Sequence, residues 1–350
     1  MDIKIKDRTL ELPIIQGGMG VGVSLGRLAG TVASFGAMGT ISMVDIGFKE
    51  EDFWKKPLEA NIRAYRKELA KAKEISKGKG LIAVNMMSVA TDYDALIEEI
   101  MDSEADAVIV GAGLPLKLPE KNINGKLLAP IVSGKRALDL ICRTWLRRFE
   151  TLPDFVILEG RGAGGHLGFS LQELDDPVHN LEDLTVEVVE YLKEYEVSHG
   201  VKIPLFVAGS VMDNEDLNLY RSLGATGLQI GTRFLTTTEA DAHENMKQLI
   251  VDSSSEDLVI IKSPVGIYGR AINNKLIKDL EDGRIAPSRC INCLKPCNPK
   301  TTDFCISEKL IQTANGDVGN GLVFCGSRVD EIKSIISVKE VLENVMGGNL

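Results

Sequence analysis

The chain lacks long hydrophobic runs. No window approaches the roughly eighteen uninterrupted apolar residues of a membrane span, so no crossing helix and no membrane partner are expected. The opening stretch, Met1-Asp2-Ile3-Lys4-Ile5-Lys6-Asp7-Arg8, is charged and holds no apolar segment, so a secretory signal is not expected and the cytoplasm is the expected location. Positive charge is in deficit: 40 Lys and Arg against 50 Asp and Glu leave a net charge of −10, which argues against nucleic acid and anionic membranes as partners. Histidine is scarce. Of the four, His179, His199 and His243 show no ligand spacing and read as surface or structural residues. Cysteine is nearly missing from the first 289 residues, where Cys142 stands alone. Also missing is a strand followed by G-x-G-x-x-G, a helix and an acid about twenty residues on, which disfavours a doubly wound dinucleotide-binding sheet.

What the chain does have is a succession of short apolar runs alternating with helical patterns. The runs are Leu12 to Gln16, Ala37 to Ile41, Leu81 to Asn85, Ala107 to Val110, Leu127 to Val132, Phe155 to Glu159, Pro204 to Ala208 and Gly227 to Ile230. Helices are expected from Ser24, as N-cap, to Phe35, and over Glu50 to Lys77, Tyr93 to Met101 and Lys135 to Phe149. Others are expected near Leu184 to His199, Asn214 to Leu223 and Glu239 to Val251. Eight strands that alternate with helices over roughly 240 residues fit an α/β fold, a (β/α)8 TIM barrel. The barrel is expected over residues 1–257. Residues 258–350 form a C-terminal extension, which has too few apolar runs for a core of its own and is expected to pack on the barrel, with a last helix over Ile332 to Met346.

The sixth strand ends in Glu159-Gly160-Arg161-Gly162-Ala163-Gly164-Gly165-His166-Leu167-Gly168. Glycine lets another body lie flat against the main chain, and one imidazole among the glycines suits a planar ligand beside a proton-transfer group. The competing reading is a flexible loop with an incidental histidine. Strands seven and eight end in Gly209-Ser210 and Gly231-Thr232, where barrels commonly hold a phosphate on backbone N–H groups. A nucleotide phosphate there places a flavin ring over the barrel mouth, against Gly17, Gly18, Met19, Asn85, Gly164, Gly165 and Gln229.

Pro13-Ile14-Ile15-Gln16-Gly17-Gly18-Met19-Gly20, Ala83-Val84-Asn85, Ala163-Gly164-Gly165-His166, Val207-Ala208-Gly209-Ser210 and Gln229-Ile230-Gly231-Thr232-Arg233-Phe234 occur in this order. Together they resemble the nitronate monooxygenase family (formerly 2-nitropropane dioxygenase), which also holds the FMN-dependent enoyl-ACP reductase II. The resemblance covers about residues 10 to 275. It implies an FMN-dependent oxidoreductase with His166 as the catalytic imidazole, the phosphate on Gly209, Ser210, Gly231 and Thr232, and the ring near Gly18, Met19, Asn85 and Gln229. Oxidation of alkyl nitronates with O2 is the expected activity on a small-molecule substrate. NAD(P)H-dependent reduction, of an enoyl, quinone or flavin acceptor, is the alternative, and a nucleotide-binding barrel without turnover is the non-enzymatic one. Arg161, in a stretch that varies between branches of the family, offers a cation for an anionic substrate.

The extension concentrates the remaining cysteines. Cys290, Cys293, Cys297 and Cys305 run C-x2-C-x3-C-x7-C, with Cys325 as a spare. The spacing allows one segment to wrap an iron–sulfur cluster or a zinc ion; free or packed thiols are the competing reading. A homo-oligomer is left open.

Overall fold

The computed structural model describes residues 2–118, 125–176, 180–348 and 350; His179 lies outside the described residues. The chain begins with a small antiparallel hairpin, β1 (Ile3–Ile5) and β2 (Arg8–Leu10). Eight parallel strands come next: β3 (Ile14–Gln16), β4 (Met38–Ser42), β5 (Leu81–Met87), β6 (Ala107–Gly111), β7 (Leu127–Val132), β8 (Val156–Glu159), then β10 (Leu205–Ala208) and β11 (Gly227–Ile230). They close into a barrel in the order β10-β11-β3-β4-β5-β6-β7-β8. All eight expected strands are present, so the chain folds as a TIM barrel. Each is an apolar run because its two faces are buried differently but equally well. Ile15, Met38, Ala83, Ile109, Ala129, Ile157 and Phe206 fill the barrel interior, and Ile5 and Leu10 of the hairpin join them. Alternate residues such as Val84, Val108, Leu128 and Leu158 meet the helices outside.

The helices between strands are α1 (Gly26–Ser34), α2 (Pro57–Ser76), α3 (Tyr93–Met101), α4 (Lys135–Phe149), α5 (Leu171–Asp175), α6 (Leu181–His199), α7 (Asn214–Ser222), α8 (Thr232–Leu235) and α9 (Glu244–Asp252). Three of these helices start later than expected, α9 at Glu244 and not Glu239 because His243 caps it there, and the other two for equally identifiable reasons. α2 starts at Pro57, seven residues later than the charged pattern suggests, because proline at the first helical position sets φ and needs no hydrogen-bonded N–H. Ser24 is not the cap of α1: that position is Leu25, and the Ser24 hydroxyl accepts from the Met19 N–H at 3.0 Å and from Gln16 Nε2 at 2.8 Å. The serine therefore fixes the loop after β3, and N–H groups in the first turn of α1 are met instead by Glu68, at Gly26, and Asp241, at Leu28. His243 accepts from the Asn245 N–H as cap of α9, and His199 lies exposed at the end of α6.

Residues beyond the barrel form β12 (Leu258–Lys262), β13 (Tyr268–Ile272), α10 (Lys275–Glu281), α11 (Ile306–Ala314) and α12 (Val338–Val345). The last helix begins six residues later than the apolar pattern suggests, where a Ser337–Glu340 capping box supplies its start. β12 and β13 pair antiparallel, and β13 pairs in turn with β9 (Gly165–His166), which sits in the glycine-rich segment after β8. Apolar residues of this region share clusters with the barrel elements. Val338, Val341 and Leu342 pack with Leu28, Val32 and Phe234, while Leu276, Leu310 and Leu322 pack with Val21, Phe48 and Phe53.

Leu342 is fully buried in the first of these clusters. Leu342→Ala is expected to cost about 2–5 kcal/mol, the usual range for a core leucine truncation, read as a shifted denaturant midpoint with the flavin absent. A change within a few tenths of a kcal/mol would mean that α12 rests on the barrel without stabilising it.

Candidate active site

A cavity of about 290 Å³ opens at the C-terminal ends of the barrel strands. The structure brings together in its wall every residue that sequence reasoning assigned to a flavin site. Gly17, Gly18 and Met19 come from the loop after β3, Asn85 from β5, and Gly164, Gly165 and His166 from the segment around β9. Gly209 and Ser210 follow β10; Gln229 lies near the end of β11, and Gly231 and Thr232 come just after that strand.

Gly18, Gly164 and Gly209 are required by close approach, Gly164 because a Cβ would stand 2.5 Å from the Cys325 backbone. A Cβ on Gly18 would run into the side chain of Asn85, so only a bare main chain fits between β3 and β5. Gly209 has φ +88, and a Cβ there would stand 2.7 Å from the Gly160 carbonyl. Next to it Ser210 also holds a left-handed backbone, φ +67, unusual for a residue with a side chain. Its hydroxyl donates to the Gly162 carbonyl at 3.1 Å and meets the Ser327 hydroxyl. The Gly326 N–H donates to Thr232 Oγ1 at 3.0 Å. The two strand-end loops are thus joined by a third loop, from the C-terminal region.

The imidazole of His166 is placed by two contacts. Nε2 lies 2.8 Å from the Ser263 hydroxyl, and the Phe324 ring meets the imidazole edge-on with centroids 5.1 Å apart. Burial lowers its pKa to about 4, so the ring is neutral at physiological pH. Arg270 steadies the segment from below, its Nη1 donating to the Arg161 and Ala163 carbonyls at 2.6 and 2.8 Å.

Several cavity residues escaped the sequence reading. Ser42 Oγ and Gln229 Oε1 are buried without a hydrogen-bond partner, and both residues line the cavity. Glu159, at the end of β8, has no cation acting on it, and burial raises its pKa to about 7. Asp45, after β4, is raised to about 6, again by burial. A signal existed for the third loop: Leu322-Val323-Phe324-Cys325-Gly326-Ser327 is an apolar run ending in Gly-Ser, like the end of β10.

Two expectations are corrected. Arg161 is not a cavity cation; its Nη1 is held by the carbonyls of Leu174 and Asp176. Nor do the cysteines form a metal centre: among the described residues no group of three or more His, Cys, Asp or Glu is arranged to hold an ion. Cys290, Cys293, Cys297 and Cys305 line a separate void of about 20 Å³, all as free thiols. Cys290 is exposed, while burial pushes the Cys293 thiol up to about 12 and raises Cys297 and Cys305 as well. Burial thus favours the protonated thiol at Cys293, Cys297 and Cys305. Iron–sulfur or zinc ligation has no support from them.

A family model described as nitronate monooxygenase matches residues 2–348. The chain belongs to the nitronate monooxygenase family. It is 24% identical over 302 residues to a probable nitronate monooxygenase of Staphylococcus aureus strain MSSA476, covering 78% of each chain. Among solved structures it is similar to FabK from Thermotoga maritima, with TM-score 0.72, 24% identity and coverage of 97% and 93% of the two chains. It is also similar to a nitroalkane oxidase from Streptomyces ansochromogenes, with TM-score 0.71, 18% identity and coverage of 97% and 96%. At these identities the structural likenesses establish the shared fold. Among the described residues no helix is long and apolar enough to cross a membrane.

The titration of Glu159 gives a pH test within this family member. Its folded pKa, about 7, lies above the ordinary 4.5, so the folded state binds the proton more tightly. Stability linked to that proton is complete below pH 4.5 and is lost as pH rises through 7. Glu159→Gln mimics the protonated form. In flavin-free protein it is expected to match the wild type near pH 4.5 and to exceed it above pH 7. The gap should grow by up to about tenfold in the unfolding constant per pH unit within that window. Parallel stability curves for the two proteins would show that the carboxyl is solvated in the folded state.

Proposed function

We propose that the cavity holds FMN and that the protein is an oxidoreductase acting on small alkyl nitronates with O2. The observation that carries the cofactor reading is the pair of orphaned atoms, Ser42 Oγ and Gln229 Oε1, beside the Gly18–Asn85 seat. A buried polar atom without a partner costs about 1–3 kcal/mol, and a ring edge carrying donors and acceptors relieves it. A single phosphate suits Gly209, Ser210, Gly231 and Thr232, with Gly326 and Ser327 closing the same corner. Arg328, also in the wall, is tied to Asp213, Asp216 and Glu331, whereas Arg233 in the same wall donates to the Thr236 and Ser334 carbonyls and keeps a charge for an anion. No fingerprint for an adenosine pyrophosphate is present, which favours FMN over FAD. Membership of the nitronate monooxygenase family supports the choice of substrate.

Bound FMN supplies the exchange of electrons between the organic substrate and the acceptor. The chain supplies position and a proton site. His166 is neutral, so it can take a proton without first losing one. Its Nε2 is held by Ser263, and Nδ1 is its second proton-exchanging atom. The planar glycine loops admit the ring, and the apolar wall keeps water from it.

Heat release and chromatography of the bound cofactor should give FMN; FAD, or no flavin after reconstitution, contradicts the assignment. An alkyl nitronate should bleach the flavin absorbance when oxygen is excluded. Bleaching by NAD(P)H alone would favour the reductase activity instead. His166→Ala is expected to lower turnover by about a hundredfold while the flavin content stays unchanged. Full activity in that variant would leave the imidazole with a packing role only.

A further inference from the structure

β4 and β8 are separated by three strands in either direction around the closed barrel, so the loops after them face each other across the mouth. The loop after β8 carries the imidazole. The loop after β4 carries Asp45, which is 7% exposed and lines the same cavity. Its backbone is left-handed, φ +46. That conformation is costly for a residue with a side chain, and cost of this kind collects where a group must be held in place.

The partner of the Asp45 carboxyl is the hydroxyl of Ser307, in the first turn of α11. No Lys, Arg or His among the described residues pairs with it. The neighbouring thiols of Cys293 and Cys305 are raised by burial and stay protonated, so they add no charge to this corner. An ionised carboxylate has about four acceptor positions, and one hydroxyl fills one of them. The cavity wall includes the apolar Pro57, Ile291, Leu294, Ile306 and Leu310, with Asn61, whose Oδ1 accepts from the Gly47 N–H at 2.8 Å, and Asp92 among its polar members. Burial brings the carboxyl to about 6, which leaves it mainly ionised at neutral pH and therefore an acceptor.

We infer that Asp45 is a specificity-determining residue, receiving an N–H donor, ammonium or amide, at the end of the substrate remote from His166 and disfavouring a carboxylate there. The inference rests on reading the cavity as the reaction site. The body of such a substrate lies along Ile291, Leu294 and Leu310, and its donor fills the acceptor positions that Ser307 leaves open. A carboxylate at the same place would set two like charges together in a poorly solvated corner.

Calorimetric binding of hexylamine, hexanamide and hexanoate to the protein near neutral pH tests this without turnover. Hexylamine or hexanamide should bind at least about tenfold more tightly than hexanoate, and the stronger of the two identifies the donor as cationic or neutral. Asp45→Asn should abolish the preference. Asparagine accepts a left-handed backbone, so the variant is expected to keep the fold, checked by its melting temperature. Hexanoate binding as tightly as both donors, or a preference that survives in Asp45→Asn, overturns the inference. The wild-type comparison decides by itself if the variant does not fold. Measuring with and without FMN separates this result from the cofactor assignment, which stands or falls on flavin release.

Discussion

The pairing of β13 with β9 is the contact on which the site depends. Gly269 stands opposite His166 and Arg270 opposite Gly165. Fixing the backbone of a residue costs about 1–2 kcal/mol, and a segment with this many glycines has more freedom to lose than most. The two main-chain pairs, the guanidinium bonds from Arg270 to Arg161 and Ala163, and the edge contact of Phe324 offset that cost. None of these partners is in the barrel. The imidazole has a defined position because a strand from the C-terminal region holds it there.

The same region completes the mouth on its other sides. Gly326 and Ser327 tie together the loops after β10 and β11, and Ile291, Leu294, Ser307 and Leu310 close the wall near Asp45. A barrel strand presents to the mouth only the loop at its own C-terminal end. Contacts that reach across the opening have to come from elsewhere in the chain. Residues 258–350 therefore help to build the cavity wall as well as to pack on the barrel, and the hydrogen-bond partner of the imidazole, Ser263, is itself among them.

The barrel was legible because its strands are buried on both faces. Leu127 to Val132 and Gly227 to Ile230 read as uninterrupted apolar runs and fold with those same limits. Gly17, Gly18, Gly209 and Gly231 were legible too, since glycine at a strand end in this fold marks a surface that a ligand approaches. Ser42, Glu159 and Asp45 were not. Whether a polar residue at a strand end faces the mouth or the helices depends on barrel register, which local sequence does not carry. Ser24 misled because a serine before a helix resembles a cap, whereas its hydroxyl is engaged by Met19 and Gln16. The cysteines misled in a similar way. Their spacing is compatible with a ligand set, but among the described residues no three His, Cys, Asp or Glu are arranged to hold an ion.

Three titratable groups in one mouth are each displaced toward the neutral form by burial: His166 to about 4, Asp45 to about 6 and Glu159 to about 7. At neutral pH the imidazole is uncharged, Glu159 is about half ionised, and Asp45 is mainly an anion. One arginine in the wall beside the strand-end loops, Arg328, is matched by Asp213, Asp216 and Glu331. Arg233, also in the wall and next to Thr232 in the chain, donates to the Thr236 and Ser334 carbonyls, and its Nε is buried without a hydrogen-bond partner. A phosphate bound there would meet the N–H and hydroxyl donors of that glycine, serine and threonine corner, with the Arg233 guanidinium in the same wall. The two carboxyl groups lie at the end of β8 and after β4, on opposite sides of the opening. An N–H donor entering the mouth would therefore meet a carboxyl group on either side of it, while a second carboxylate would be disfavoured at both.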